Sequence, residues 1–179
     1  MNPSEVIVNP VTGDRMTVLE SRPNYTKIHF DLPPGAKGSP LHFHPTMAET
    51  FTVLEGCLDM EVNRQGNQRF LQAGETVHIL PGTPHSFCNN STEWVSFTTE
   101  NKPGIGFERF IRGLYGLAID GQVNSEGMPT NLLQLAVLLK QSDTVPVGIP
   151  PFLFHSLIAF LVGIAGFFHV DRSLSKYWH

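Results

Sequence analysis

The sequence is poor in charge, in cysteine and in basic clusters. Only 16% of its 179 residues are charged, the formal net charge is -4, and Lys and Arg form no run. A surface that binds nucleic acid needs a basic stripe to neutralise phosphates, so this composition argues against nucleic acid as a partner. The two cysteines, Cys57 and Cys88, and the lack of a recognisable signal peptide predict a cytoplasmic protein.

The length and the 41% apolar content suit one globular domain with an extension. Short segments with period-2 alternation, separated by Asn, Pro and Gly turns, predict strands from the N-terminus to Glu93–Thr99. A Lys-Pro-Gly loop then ends the strand pattern, and apolar residues recur at helical spacing from Phe107 onward. A second helix is expected at Asn131–Gln141, with Thr130 or Asn131 as its N-cap.

Three histidines and one glutamate stand at ligand spacing in the predicted β region. Residues two apart on a strand point to the same side, so His42 and His44 project together. After a turn, a new strand brings Glu49 back across a hairpin, and a rigid LPGTPH turn leads to His85 on a neighbouring strand. Burying these groups without a cation would be costly. The set therefore predicts a site for a divalent transition metal.

The first of these segments resembles a signature motif of the cupin superfamily, G-x5-H-x-H-x3,4-E-x6-G. From His42 to Gly56 the chain matches every spacing of that motif. Its leading glycine is replaced by Ala36, which changes the turn before the first ligand strand but no ligand.

The second segment resembles the other cupin motif, G-x5-P-x-G-x2-H-x3-N. Leu80 stands in place of the motif's proline, and the remaining positions are matched by Gly74, Gly82, His85 and Asn89. Together the motifs and the strand between them cover roughly the central third of the chain.

The resemblance implies a mainly β fold, a cupin-like antiparallel β-barrel of the double-stranded β-helix or jelly-roll type, with C-terminal α-helices. We expect the cupin β-barrel at residues 1–103 and the helical extension at residues 104–179, packed on the barrel or on a dimer partner. The resemblance also implies that the metal is held at the centre of the barrel by His42, His44, Glu49 and His85.

Function is argued from this site, because folds of this kind host unrelated activities. A divalent ion with three neutral imidazoles and one carboxylate keeps a charge of about +1 and open positions for water, O₂ or a chelating oxygen ligand. The leading hypothesis is an oxygenase-like enzyme acting on a small oxygen-bearing organic molecule. The alternatives are a metal-dependent isomerase or decarboxylase, and a non-catalytic module that binds or senses a small ligand. Fe, Mn, Ni and Zn all accept this ligand set.

Three aromatic residues fall on or near the ligand faces of their strands: Phe51, Phe87 and Phe97. They would line an apolar pocket for a small ligand or simply fill the core. The other histidines stand outside any ligand spacing, and His78 is expected to point away from the buried face of its strand; these residues are His29, His78, His155, His169 and His179.

An uncharged segment, Phe152–Phe168, dominates the C-terminal region. A membrane span needs about 18 or more apolar residues, so this segment is borderline, although Ala159 and Gly163 have the small-xxx-small spacing of membrane helices. The polar residues His155 and Ser156 near its start count against a span. A helix that is apolar all round can equally be covered by the domain or by a second subunit. We therefore predict a homodimer, with membrane contact through this segment as the alternative.

Overall fold

Ten strands, followed by four helices and one further short strand, form the part of the chain that the computed structural model describes, residues 5–63 and 66–178. The first ten strands are β1 (Ile7–Val8), β2 (Arg15–Arg22), β3 (Tyr25–Leu32), β4 (Ser39–Phe43), β5 (Ala48–Glu55), β6 (Cys57–Val62), β7 (Gln68–Gln72), β8 (Thr76–Ile79), β9 (His85–Cys88) and β10 (Val95–Lys102). The C-terminal elements are α1 (Ile105–Ile119), α2 (Leu132–Ser142), β11 (Val145–Pro146), α3 (Pro151–Phe167) and α4 (Val170–Ser175).

Two antiparallel sheets enclose the core. The first has six strands in the order β1-β2-β3-β10-β5-β8, and the second has five in the order β11-β4-β9-β6-β7. Between the sheets, the ring centroids of Phe51 on β5 and Phe87 on β9 lie 5.7 Å apart. The predicted fold class, mainly β with C-terminal helices, is confirmed.

The predicted closure of the strands into a barrel is wrong. Among the described residues, no strand of one sheet pairs with a strand of the other, so β1, β8, β11 and β7 remain at sheet edges. The period-2 pattern gives each strand one buried face, and a sandwich of two sheets satisfies that pattern as well as a barrel does. Closure depends on backbone pairing between edge strands, which side-chain periodicity does not encode.

The interior face of the first sheet follows the alternation of its strands. In β3 every second residue is buried, from Thr26 to Leu32. Strand β10, the last of this sheet along the chain, was predicted to end at Thr99. It continues to Lys102 and thereby brings Asn101 into the sheet. Three consecutive buried residues in β10 break the alternation, which is why the sequence did not reveal the end of this strand.

The turn from β5 to β6 carries the chain from the first sheet to the second and requires glycine at position 56. Gly56 has a φ of +78°, and a Cβ there would lie 2.7 Å from the backbone oxygen of Trp94. The left-handed backbone and the close approach together explain the glycine that ends the first motif.

Helix α1 packs against β2 and β3 of the first sheet. Its Phe107 and Tyr115 belong to the same buried cluster as the strand residues. The buried carboxylate of Glu108 pairs with Arg112 at 2.7 Å and accepts a hydrogen bond from Ser21 on β2. Buried charges are tolerated only when paired and hydrogen-bonded, and here both conditions are met.

Helix α2 begins after Asn131, whose side-chain oxygen accepts hydrogen bonds from the backbone of Leu133 and Gln134. This confirms one of the two predicted N-caps. After α2, β11 pairs with β4, with Val145 opposite Phe43. The C-terminal region thus contributes a strand to the second sheet, next to a strand that carries a candidate ligand. The division of the chain at residue 103 stays a prediction.

Helix α3 confirms the helix predicted from the apolar segment. Three of its residues are buried, Phe154, Ile158 and Ala165. Ile158 packs in one cluster with Val145 of β11, while most of the helix surface is exposed. None of the described helices combines the length and the apolar character needed to cross a membrane.

Candidate metal centre

The four candidate ligands lie on three strands, β4, β5 and β9, or directly after one of them. His42 lies on β4 directly opposite His85, the first residue of β9, and His44 follows just after β4. Glu49 lies on the buried face of β5 in the other sheet, so it meets the histidines across the space between the sheets, and the predicted hairpin between their strands is wrong. The site therefore lies between the sheets, and all four side chains are buried.

The four side chains converge on a small volume. The candidate ligand atoms, one from each residue, all lie within 4.8 Å of one another. Glu49 Oε2 lies 2.7 Å from His85 Nε2 and 3.3 Å from His44 Nε2. The Nε2 atoms of His42 and His44 are 3.2 Å apart.

The outer nitrogen of each imidazole is held by a backbone carbonyl. Nδ1 of His42 lies 2.7 Å from the oxygen of Pro40, Nδ1 of His44 lies 3.0 Å from that of Ser142, and Nδ1 of His85 lies 3.0 Å from that of Thr83. A carbonyl oxygen only accepts, so each Nδ1 carries the proton and donates it. In the neutral imidazoles, the Nε2 lone pairs then face one another and the carboxylate.

This donor set fits a divalent transition ion. Three Nε2 lone pairs cannot satisfy one another without additional protons, whereas a cation at their centre would accept all three. Hydrogen bonds from ligand histidines to backbone carbonyls are also the usual means by which proteins orient imidazoles toward a metal.

The charge states of two of these groups suit ligation. Burial, followed by the neighbouring His85 and His44, lowers the pKa of His42 to about 3, so its imidazole is neutral. Burial alone would raise the pKa of Glu49, but hydrogen bonds and positive charge from His44 and His85, in the forms of these imidazoles that are protonated on both nitrogens, outweigh it and hold that pKa well below its usual value. For His44, burial acts to lower the pKa, and the hydrogen bond and charge of Glu49 more than compensate, so its pKa is raised.

The C-terminal region holds one side of the centre, which the sequence did not reveal. The Asp143 carboxylate accepts hydrogen bonds from the backbone N of Thr46 at 2.7 Å and from its hydroxyl at 2.8 Å. Phe107 of α1 stands edge-on to the His44 ring, with centroids 6.4 Å apart. These contacts fix the turn between His44 and Glu49.

A buried polar row continues from Glu49 across the first sheet. Asn101 on β10 is the cross-strand partner of Glu49 on one side and of Thr26 on the other. Partners in antiparallel strands share a face and lie about 5 Å apart. Asn101 Oδ1 and the Thr26 hydroxyl are fully buried and have no hydrogen-bond partner among the described residues. Buried polar atoms normally have partners, so these two atoms are exceptions within the part of the chain that the structure describes.

The three aromatic residues predicted near the site pack against one another, and one of them, Phe51, lies beside a candidate ligand. Phe51 and Phe97 are fully buried and Phe87 is half-buried. The ring of Phe51 lies 6.0 Å from that of His85. These positions agree with core packing and with an apolar wall beside the ligands, and the pocket role stays a prediction.

The remaining described histidines lie elsewhere. His78 points away from the buried face, as predicted, and hydrogen bonds Thr50. His29 contacts Ser96 at 2.7 Å. His155 is exposed on α3, His169 is exposed in the turn before α4, and His179 lies outside the described residues.

Comparison with known proteins locates this site within a recognised domain. The sequence model of the cupin domain matches residues 28–99, which include all four candidate ligands. Probable oxidoreductase yanE of Aspergillus niger is 28% identical over 147 residues, which are 76% of this chain and 55% of the relative. The chain thus spans about half the length of the curated relative it matches.

Two solved structures overlap with about half of the chain. An uncharacterised conserved protein with a double-stranded β-helix domain from Klebsiella pneumoniae is 25% identical, with a TM-score of 0.48, over 55% of this chain and 84% of that one. The polyketide cyclase RemF of Streptomyces resistomycificus is 20% identical, with a TM-score of 0.48, over 56% of this chain and 74% of that one.

Proposed function

From a chain that carries a cupin domain over residues 28–99, we propose a metal-dependent, oxygenase-like oxidoreductase that acts on a small oxygen-bearing organic molecule. The observation that supports it best is the convergence of three imidazole Nε2 atoms and one carboxylate, with every Nδ1 bonded to a backbone carbonyl. We assign the four ligands as His42, His44, Glu49 and His85.

The similarity to an oxidoreductase supports the reaction class. A match over 76% of the chain cannot fit within residues 1–99, so it includes part of the helical C-terminal region. The likeness therefore extends beyond the cupin domain into the helical C-terminal region.

We assign different roles to the residues around the centre: some bind the metal, some bind the ligand and some exclude water. A divalent Fe, Mn, Ni or Zn ion bound there would supply Lewis acidity, and a redox-active one would supply electron transfer as well. Asn101 and Thr26 would hydrogen bond a second polar group of the ligand. Phe51, Phe87 and Phe97 would exclude water on the core side. We place the protein in the cytoplasm, where the free thiols of Cys57 and Cys88 stay reduced.

The test is the metal content of anaerobically purified protein, followed by O₂ uptake after addition of Fe(II) and a panel of small enols, catechols and keto acids. Stoichiometric iron with substrate-dependent O₂ uptake would support the oxygenase. Zinc or manganese without uptake would favour an isomerase or decarboxylase, and absence of any bound metal would refute the proposal.

One observation favours a second candidate, a non-catalytic module that senses a small ligand. His44 contacts the backbone of Ser142 at the end of α2, so a metal or ligand bound at the centre would change the stability of the helices. A sensor predicts that metal and ligand slow amide hydrogen exchange in α2 and α3 without turnover of any substrate. Turnover with unchanged exchange in these helices would exclude it.

A further inference from the structure

Helix α3 exposes a large apolar surface. Six of its residues or immediate successors are more than half exposed: Phe152 (70%), Leu153 (52%), Leu157 (55%), Phe160 (66%), Phe167 (80%) and Phe168 (64%). The helix contains no charged residue. Contiguous apolar patches of this kind are rare on monomeric proteins and mark interaction sites.

Four of these six residues, together with the half-buried Ile164, follow the spacing of a helix-pairing seam. Steps of four, three, four and three residues separate five apolar side chains, which we call the α3 seam: Leu153, Leu157, Phe160, Ile164 and Phe167. A 4-3 repeat is the pattern by which one helix packs along another. The residues that bind α3 to its own chain, Phe154, Ile158 and Ala165, lie on a different face.

Two glycines beside the seam have no role within the chain. A Cβ at Gly163 or Gly166 would meet nothing within 4 Å. Glycine inside a helix costs about 1 kcal/mol relative to alanine, and nothing in the described structure compensates for it. With Ser156 and Ala159 they form a strip of small residues next to the seam, which lets the backbone of a second helix approach closely.

The area and the charge suit a second copy of this chain. The exposed side chains of the seam, together with Phe152 and Phe168 at the two ends of α3, offer roughly 700 Å², close to the 800 Å² or so that each partner buries in a standard interface. Because the face is uncharged, two copies that each carry a net charge of -4 do not repel one another there. Helices that lie on a membrane surface are typically rich in Lys and Arg, which α3 lacks.

We propose that the α3 seam pairs with the α3 seam of a second copy, so that the protein is a homodimer joined through its C-terminal helix. Phe160, the middle residue of the seam, lies near the two-fold axis. The same surface patch then serves both subunits, as two-fold symmetry requires.

The experiment measures the mass of the full-length protein by light scattering and sedimentation over a range of concentrations. The wild type is expected to be a dimer and Phe160→Glu a monomer. Gly163→Leu adds bulk where the fold has free space, so it should remain folded while dimer affinity falls at least about tenfold. The control is Leu19→Glu, at a residue on β2 that is 52% exposed, and it should leave the dimer intact. Circular dichroism checks that each variant is folded.

A monomeric wild type, or a Phe160→Glu variant that stays dimeric, would overturn the proposal. Sedimentation with vesicles of phosphatidylcholine and phosphatidylserine identifies the main rival. A monomer that binds these vesicles through α3 would show that a lipid surface, rather than a second copy, covers this face.

Discussion

His44 Nδ1 lies 3.0 Å from the backbone oxygen of Ser142, 98 residues further along the chain. The bond joins a candidate ligand in the cupin domain to the end of α2. Together with the pairing of β11 and β4, it makes the C-terminal region part of the wall of the site. Orientation of a ligand imidazole by such a partner affects metal affinity without any contact to the metal.

Replacement of Asp143 by glycine should weaken metal binding. Asp143 has a φ of +54°, so Asp143→Gly keeps the left-handed backbone and removes only the carboxylate that holds Thr46. We expect the Kd for Co(II) or Zn(II) to rise about tenfold, the usual effect of losing an outer contact. Competition with a chromophoric chelator measures it.

The matched control for this variant is His169→Gly. His169 is also left-handed, with a φ of +56°, and it precedes α4 away from the centre. Metal affinity should not change in this control. Equal losses in both variants would mean that glycine acts through general flexibility, and no loss in either would remove the role given to Asp143.

Two buried threonines on the first sheet should respond oppositely to valine. The Thr26 hydroxyl has no partner among the described residues, so Thr26→Val should raise the free energy of unfolding by about 1 kcal/mol. The Thr99 hydroxyl accepts a hydrogen bond from Asn101, so Thr99→Val should lower it by about 1 to 2 kcal/mol. Urea denaturation of the metal-free variants measures both. A loss in Thr26→Val would show that this hydroxyl is satisfied within the fold, and the polar row would then have no free group for a ligand.

The metal-free protein should lose stability in mild acid through His42. Its pKa is about 3 when folded, against 6.5 for an ordinary histidine, so the unfolded chain takes up the proton first as pH falls. The contribution is therefore present above pH 6.5 and decreases toward pH 3, by up to about 1.4 kcal/mol per pH unit. Denaturation between pH 6.5 and about 4 should show a shallower slope for His42→Gln than for the wild type. Parallel slopes would contradict this account of His42.

The four candidate ligands could be predicted from the sequence because local rules determine which face of a strand each of them occupies. Alternation puts His42 and His44 on one side of a strand, and the same rule puts Glu49 on the buried face of β5. The two motifs set the distances along the chain between these strands and His85. The N-cap at Asn131 was equally local, because it depends on a residue type and the helix that follows.

The residues that surround the ligands could not be predicted from local rules. Ser142 and Asp143 reach His44 only because β11 joins the second sheet, and no pattern near position 44 predicts that pairing. Asn101 lies beyond the strand end predicted at Thr99, because three consecutive buried residues in β10 depart from strict alternation and a Pro-Gly pair follows closely. Barrel closure was wrong for a related reason, because the pairing of edge strands is a property of the assembled sheets.

Cobalt titration of the metal-free protein tests the proposed centre most directly, with Co(II) bound by nitrogen and carboxylate ligands detected by its visible absorption. The account predicts saturation at one Co(II) per chain in the wild type and in His78→Gln, whose side chain points away from the site. In Glu49→Gln the affinity should fall by at least about a hundredfold, the upper end of the cost of losing an outer contact, because here the only charged ligand itself is lost. Wild-type protein that does not bind Co(II), or a Glu49→Gln variant that binds it as tightly, would contradict the assignment of this site to a metal.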